Sequence, residues 1–269
     1  MKLSSHQKVR LNENYGPWAL VTGASSGIGQ ELAKNIASAG LNLIICARRE
    51  ALLESLAEKW RKEFGVEIIS FSIDLSQMSE IKSLVDEIDE IPIGLLIAAA
   101  GMGTSGTFLK ASQEREIEML QVNGLSVLLL THYFARKFAE QKRGGIILLS
   151  SIVAFQGVPN AAHYAATKAY VQSLAEGLYH ELKPFGVDVL AAAPGPVNTG
   201  FAKVADMEMG NVLKPSDIAV PILKSLGRKS TSFPGRLTKI LLLGLRTVPR
   251  WGKVRIMKKV MGGMTKHQD

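Results

Sequence analysis

The chain of 269 residues is short of several things, and each shortage excludes something. It has one cysteine, Cys46, so no internal disulfide forms. Cys46 lies in LNLIICA, a stretch read as a strand, where a small buried apolar side chain is its expected use. Such usage fits a reducing compartment. The first residues, MKLSSHQKVRLNENYG, lack the apolar core of a secretory signal, so the sequence predicts a cytoplasmic protein. Long apolar runs are also missing. The longest charge-free stretch, Gly144 to Thr167, is interrupted by Gly, Pro, Asn, Gln and His. The run LTKILLLGL at 237–245 is too short for a bilayer, which takes about 20 residues. No internal repeat or low-complexity tract occurs. Acids are scarce in one region: Lys224 to Asp269 holds twelve Lys or Arg and one acid, a net +11. The whole chain carries +8, which leaves −3 for residues 1–223.

What is present is ordinary for one globular unit: 46% hydrophobic and 21% charged residues, in a length that α/β folds fill as a single domain. Strand patterns at 17–22, 41–46, 67–73, 94–98, 145–150 and 187–192 alternate with helical patterns at 28–39, 50–64, 77–88, 112–140 and 161–183. Strands such as GIILLS and VDVLAAA are near-continuously apolar, which predicts a parallel sheet covered on both faces. The expected fold is α/β: a doubly wound, three-layer Rossmann arrangement. Its ligands would sit beyond the carboxyl ends of the strands.

After the first strand comes TGASSGIG at 22–29, with Gly23, Ser25, Ser26, Gly27, Ile28 and Gly29, followed by a helical pattern. Glycines allow a tight turn and close backbone approach, and a helix N-terminus receives a pyrophosphate. The loop is not a Walker loop, because no Gly-Lys-Ser/Thr follows. The second strand ends in Arg48-Arg49, with no acid before Glu50. An acid there would bind a ribose 2′-hydroxyl, whereas an arginine fork suits a 2′-phosphate. The expected cofactor is therefore NADP(H), although either arginine also suits the start of a solvated helix. Tyr164 and Lys168 stand four apart in HYAATKAY and so share a helix face. A nearby ammonium favours the phenolate and brings a tyrosine down from near 10, which makes Tyr164 a candidate acid/base. Such a pair by itself is commonly a solvated face. His163 adjoins Tyr164 but points to another face.

Taken in order, these motifs resemble the classical short-chain dehydrogenase/reductase family from Pro17 to about Thr199. The resemblance implies roles for single residues. Asp74-Leu75 match the position that contacts the adenine. Asn123 in QVNG, Ser151 thirteen residues before Tyr164, Tyr164 and Lys168 match the catalytic tetrad. The same spacing prefers Ser151 to Ser150. Pro194-Gly195, Val197 and Thr199 match the stretch flanking the nicotinamide. Ala100-Gly101 persist from the family's Asn-Asn-Ala-Gly, but Ala98-Ala99 replace both asparagines, which puts the sheet end and the adenosine side in doubt. No metal ligands are implied. Homodimers or homotetramers are expected through the helices 112–140 and 161–183.

The division expected is an arm at 1–16, a Rossmann domain at 17–235 and a basic amphipathic extension at 236–269. In the extension Trp251, Val254, Met257, Val260, Met261 and Met264 recur at helical spacing, with Lys253, Arg255, Lys258 and Lys259 on other faces. It suits packing on the pocket or on a partner subunit, or peripheral contact with a membrane. Nucleic acid is not expected, because no reading motif accompanies the charge. FPGRLTK resembles the branch acting on lipophilic ketones such as ketosteroids or 3-ketoacyl compounds. Phe201, Val204, Met207 and Met209 would line such a pocket or form the stripe of a lid helix. The function expected is NADP(H)-dependent interconversion of a lipophilic carbonyl compound, such as a ketosteroid or 3-ketoacyl compound, and its alcohol, with Tyr164 as acid/base. The alternative is a cofactor-binding regulator or membrane adaptor with little catalysis.

Overall fold

Apolar runs without alternation leave no face for water, so they pair in parallel beneath helices on both sides. The structure, a computed structural model, describes residues 2–210 and 212–268 apart from the Arg246 side chain. Asp269, the single acid of the basic tail, lies outside the described residues. The strands are β1 (Trp18–Thr22), β2 (Asn42–Ala47), β3 (Ile68–Ser72), β4 (Ile93–Ala98), β5 (Gly144–Leu149), β6 (Val187–Ala192) and β7 (Thr231–Ser232). All pair in parallel, in the order β3-β2-β1-β4-β5-β6-β7. The winding reverses between β1 and β4, which puts a crevice at their carboxyl ends.

The helices are α1 (Ser5–Tyr15), α2 (Gly27–Ala37), α3 (Glu50–Phe64), α4 (Met78–Glu87), α5 (Gln113–Leu120), α6 (Ser126–Gln141), α7 (Ala162–Leu182), α8 (Phe201–Val204), α9 (Pro215–Ser225), α10 (Arg236–Arg246) and α11 (Arg250–Met264). One core packs α2, α3 and α9 on the sheet through Leu32, Ile36, Trp60 and Leu223. The other packs α4, α6 and α7 through Leu84, Phe134, Phe138 and Val171. Full burial of an aromatic or large aliphatic side chain contributes about 1.5–3 kcal/mol, so these two layers carry most of the fold. The result is the expected doubly wound, three-layer fold.

Three features differ from the sequence expectation. The N-terminal arm is a helix, closed by a capping box between Ser4 and Gln7. It is tied to the far sheet edge by Tyr15, whose hydroxyl donates to Asp188 Oδ2 at 2.7 Å. A seventh strand and α9 continue the sheet beyond 192; β7 has only two residues, too few for a period to show. The helix expected at 112–140 is broken by a π turn at Gln121–Leu125. The wider turn brings Asn123 to the loop after β4, where its side chain bonds twice to the Met102 backbone.

Candidate active site

At the end of β1 the chain turns tightly into α2. A Cβ at Gly29 would run into the Gly23 carbonyl oxygen, and one at Gly27 would meet Thr199 Cγ2 at 2.8 Å. Only glycine admits both contacts, and Gly27 also has φ +60°. Ser26, the N-cap of α2, makes no side-chain cap bond. The first N–H groups of the helix are therefore available to an anion. Arg49 Nη2 donates to Ser25 Oγ at 2.8 Å, which places one guanidinium beside this turn. Arg48 pairs instead with Glu118 on α5 at 3.2 Å, with 60% of its side chain exposed. Asp74 accepts from the Ser76 N–H at 2.9 Å, and Leu75 is buried. These residues fit a dinucleotide: Gly27 and Gly29 leave the cradle open, and Arg49 would meet a phosphate at its ribose end.

Ala98-Ala99 leave the sheet end intact. The Thr22 hydroxyl accepts hydrogen bonds from the Ala99 and Ala100 N–H groups, both at 3.1 Å, and so ties β4 to β1. The sequence signal for this was the threonine that opens TGASSGIG.

The residues expected to carry chemistry come together at the ends of β4 and β5. Asn123 is fully buried and also donates to Thr167 Oγ1 at 3.1 Å, which locks the π turn to α7. Lys168 is buried and donates to the Leu149 carbonyl at 2.9 Å. A Cβ at Gly101 would lie 3.3 Å from both Asn123 Oδ1 and Lys168 Nζ, so the three positions are packed together. Ser150 is buried and donates to the Lys168 backbone carbonyl at 3.1 Å, whereas the Ser151 hydroxyl accepts from the Val153 N–H at 3.3 Å and acts on the Tyr164 phenol. The two neighbouring serines thus face different ways, as alternation along a strand requires.

The electrostatics differ from the sequence expectation. Burial pushes the Tyr164 phenol above its ordinary value, against the lowering effect of the Ser151 hydrogen bond. Lys168 Nζ lies 5.9 Å from the phenol ring centroid, and burial pushes its own pKa down to about 8. Loss of water around both groups outweighs the ammonium's pull on the phenol. His163 turns away from the site and pairs with Glu116 on α5 at 2.6 Å.

The other wall comes from residues beyond 194. Ile152 N–H donates to the Pro194 carbonyl at 3.1 Å, Val197 bridges Leu213, and the Thr199 hydroxyl accepts from the Phe201 N–H at 3.2 Å. Phe201 packs on Tyr164 with ring centroids 5.1 Å apart. Met207 joins Tyr164, Val153 and Met264 around a cluster of Val158, Ala161, Ala165, Met257 and Met261. Val204 is exposed, so the stripe 201–209 is split between site and solvent. The apolar stripe of the tail splits as well: Met257 and Met261 are buried, whereas Trp251 and Val260 are exposed. Thr238 had no sequence signal. It sits inside an apolar run, yet it is fully buried, and its hydroxyl accepts from the Gly195 N–H at 2.9 Å.

The chain belongs to the short-chain dehydrogenase family, whose model matches residues 17–209. It is an oxidoreductase of CH–OH and carbonyl groups that uses a nicotinamide cofactor. It is 29% identical over 235 residues to a 7beta-hydroxysteroid dehydrogenase of Clostridium sardiniense, covering 86% of this chain and 90% of the relative. It is 33% identical over 216 residues to a very-long-chain 3-oxoacyl-CoA reductase-like protein of Arabidopsis thaliana, covering 76% and 67%. Among solved structures, a 7beta-hydroxysteroid dehydrogenase superposes with TM-score 0.84 at 26% identity, covering 92% of this chain and 98% of that one. A short-chain dehydrogenase from Sphingobium yanoikuyae in complex with NADPH superposes with TM-score 0.79 at 29% identity, covering 87% and 97%.

Proposed function

We propose that this protein interconverts a lipophilic ketone or aldehyde and its alcohol with NADP(H), using Tyr164 as the acid/base. The observation that carries the reading is the setting of Tyr164. Its phenol is buried under the influence of Ser151, Phe201 packs on its ring, and Tyr164 flanks an apolar cluster that Val153, Met207 and Met264 also border. A bound nicotinamide supplies or takes the hydride. In reduction the Ser151 hydroxyl donates to the substrate oxygen, and Tyr164 delivers its proton to the same atom. Lys168 stabilises the phenolate left behind, and Asn123 positions the loop after β4. In oxidation Tyr164 takes the proton. Arg49 beside Ser25 favours a 2′-phosphate, and no acid stands at the end of β2 to prefer a 2′-hydroxyl.

A bulky ring system or a long acyl chain suits this wall. The relatives named for a hydroxysteroid and for 3-oxoacyl-CoA support the same choice. The working unit we infer is a cytoplasmic homodimer or homotetramer joined through α6 and α7. Its division is an arm at 1–16, the catalytic domain at 17–235 and the extension from 236. The test is oxidation of NADPH, with NADH in parallel, against ketosteroids, 3-ketoacyl thioesters and small polar ketones. Turnover confined to NADPH and to the lipophilic ketones is expected. Preference for NADH, or for polar ketones, would sink the reading.

A further inference from the structure

We propose that the helix pair α10–α11 docks this protein on a membrane surface that carries anionic lipid. This rests on the exposed faces of the pair and is independent of the catalytic reading. Large apolar side chains stand in water there: Ile240 is 66% exposed, Leu243 70% and Trp251 64%. Leu241, Ile256 and Val260 are exposed too, so six such residues gather between positions 240 and 260. Singly exposed apolar residues need no explanation, but a concentration of them marks an interaction surface.

The cations are interleaved with them. Arg236, Ile240 and Leu243 share one face of α10 at i, i+4 and i+7, with Lys239 beside them, and all four are exposed. On α11 the exposed residues Trp251, Arg255, Lys258 and Lys259 lie opposite the buried Met257 and Met261. The Arg255 guanidinium stacks on Trp251, 5.0 Å from its ring centroid. One face is thus committed to the protein body, and the other offers tryptophan, aliphatic and basic groups. An interfacial helix has this composition, with the stems of Lys and Arg lying along apolar surface. α10 borders a cavity of about 990 Å³ shared with α9 and the segment after β7, and Thr238 is its fully buried anchor.

Charge selects the occupant. A second copy meeting this face through a twofold contact would set Arg236, Lys239, Arg255, Lys258 and Lys259 against themselves. Between Lys224 and Gln268 there is no acid to neutralise them. Anionic headgroups do so, while Ile240, Leu243 and Trp251 enter the acyl boundary.

The test is co-sedimentation of the full chain with vesicles of phosphatidylcholine alone or mixed with phosphatidylglycerol. Each basic residue near an anionic surface contributes roughly fivefold in partitioning, so the mixed vesicles should bind at least about tenfold more protein. High salt should weaken that binding. Leu243→Glu with Trp251→Glu should lower it roughly tenfold. Equal partitioning to both vesicles, no partitioning, or binding that ignores the double variant would overturn the proposal. So would a halved mass of the double variant by light scattering, because the face would then be a self-contact. If circular dichroism shows that the glutamate variant misfolds, Leu243→Ser with Trp251→Ser carries the same comparison.

Discussion

The cofactor side of the site and the substrate side are built on different terms. On the cofactor side the recognisable pieces are local: the turn closes within residues 22–29 and Tyr164 and Lys168 are one helical turn apart, while contacts such as Gly27 with Thr199 join them across the fold. On the substrate side the bonds span long separations. Gly195 meets Thr238 across 43 residues, Asn160 meets Thr265 across 105, and Ser105 meets Gln268 across 163. The charge differs in the same sense, −3 for residues 1–223 against +11 beyond. On the proposed reading, the chemistry is carried by a rigid sheet with local turns, and the choice of substrate falls to the short segments that close over it. A fold that divides its labour in this way can change substrate without disturbing hydride transfer.

Substitutions sharpen this contrast. The largest effect belongs on the cofactor side: Tyr164→Phe keeps the ring packing on Phe201 but removes the proton. Ketone turnover should fall by about 10²–10⁴-fold, with NADPH still bound, as fluorescence titration would read. Next is Lys168, whose folded pKa of about 8 lies below its ordinary 10.5. Between those values the unfolded chain holds a proton that the folded chain has shed. This group therefore adds stability as pH rises through the window, and its burial cost is fully present below pH 8. The change is up to about 3 kcal/mol, and Lys168→Met should flatten it in urea melts taken at several pH values. Arg49→Ala should raise the KM for NADPH about tenfold and leave that for NADH unmoved, the loss of one charge-assisted contact. The smallest effect belongs on the substrate side. Thr238→Val leaves the Gly195 N–H unpaired, at a cost of about 1 kcal/mol, visible as a lower Tm and a raised KM for the ketone. Should Thr238→Val match Tyr164→Phe in kcat, the two sides would not be separable.

The sheet was legible because β1, β2, β4, β5 and β6 are apolar apart from Thr22, Asn42 and Asp188 near their ends, and burial on both faces follows from that. Within the site, the spacing from Ser151 to Tyr164 was legible, and so were the glycines, because a turn and a helix translate spacing directly into position. The π turn at Asn123 was not legible, since a helical pattern with one extra residue still reads as a helix. The stripe 251–264 misled for a related reason. Spacing says which residues share a face but not whether protein or water lies beyond it, and Met257 and Val260 ended on opposite sides of that boundary.

The sequence by itself determined the doubly wound fold and the family, because each depends on a period or a spacing along the chain. Tertiary structure alone decided that Arg49 and not Arg48 reaches the turn, that Thr22 ties the Ala99 and Ala100 N–H groups to β1, and that Thr238 anchors the loop at Gly195. It also decided the protonation balance of Tyr164 and Lys168, because desolvation comes from every element packed around a group and no local pattern encodes it.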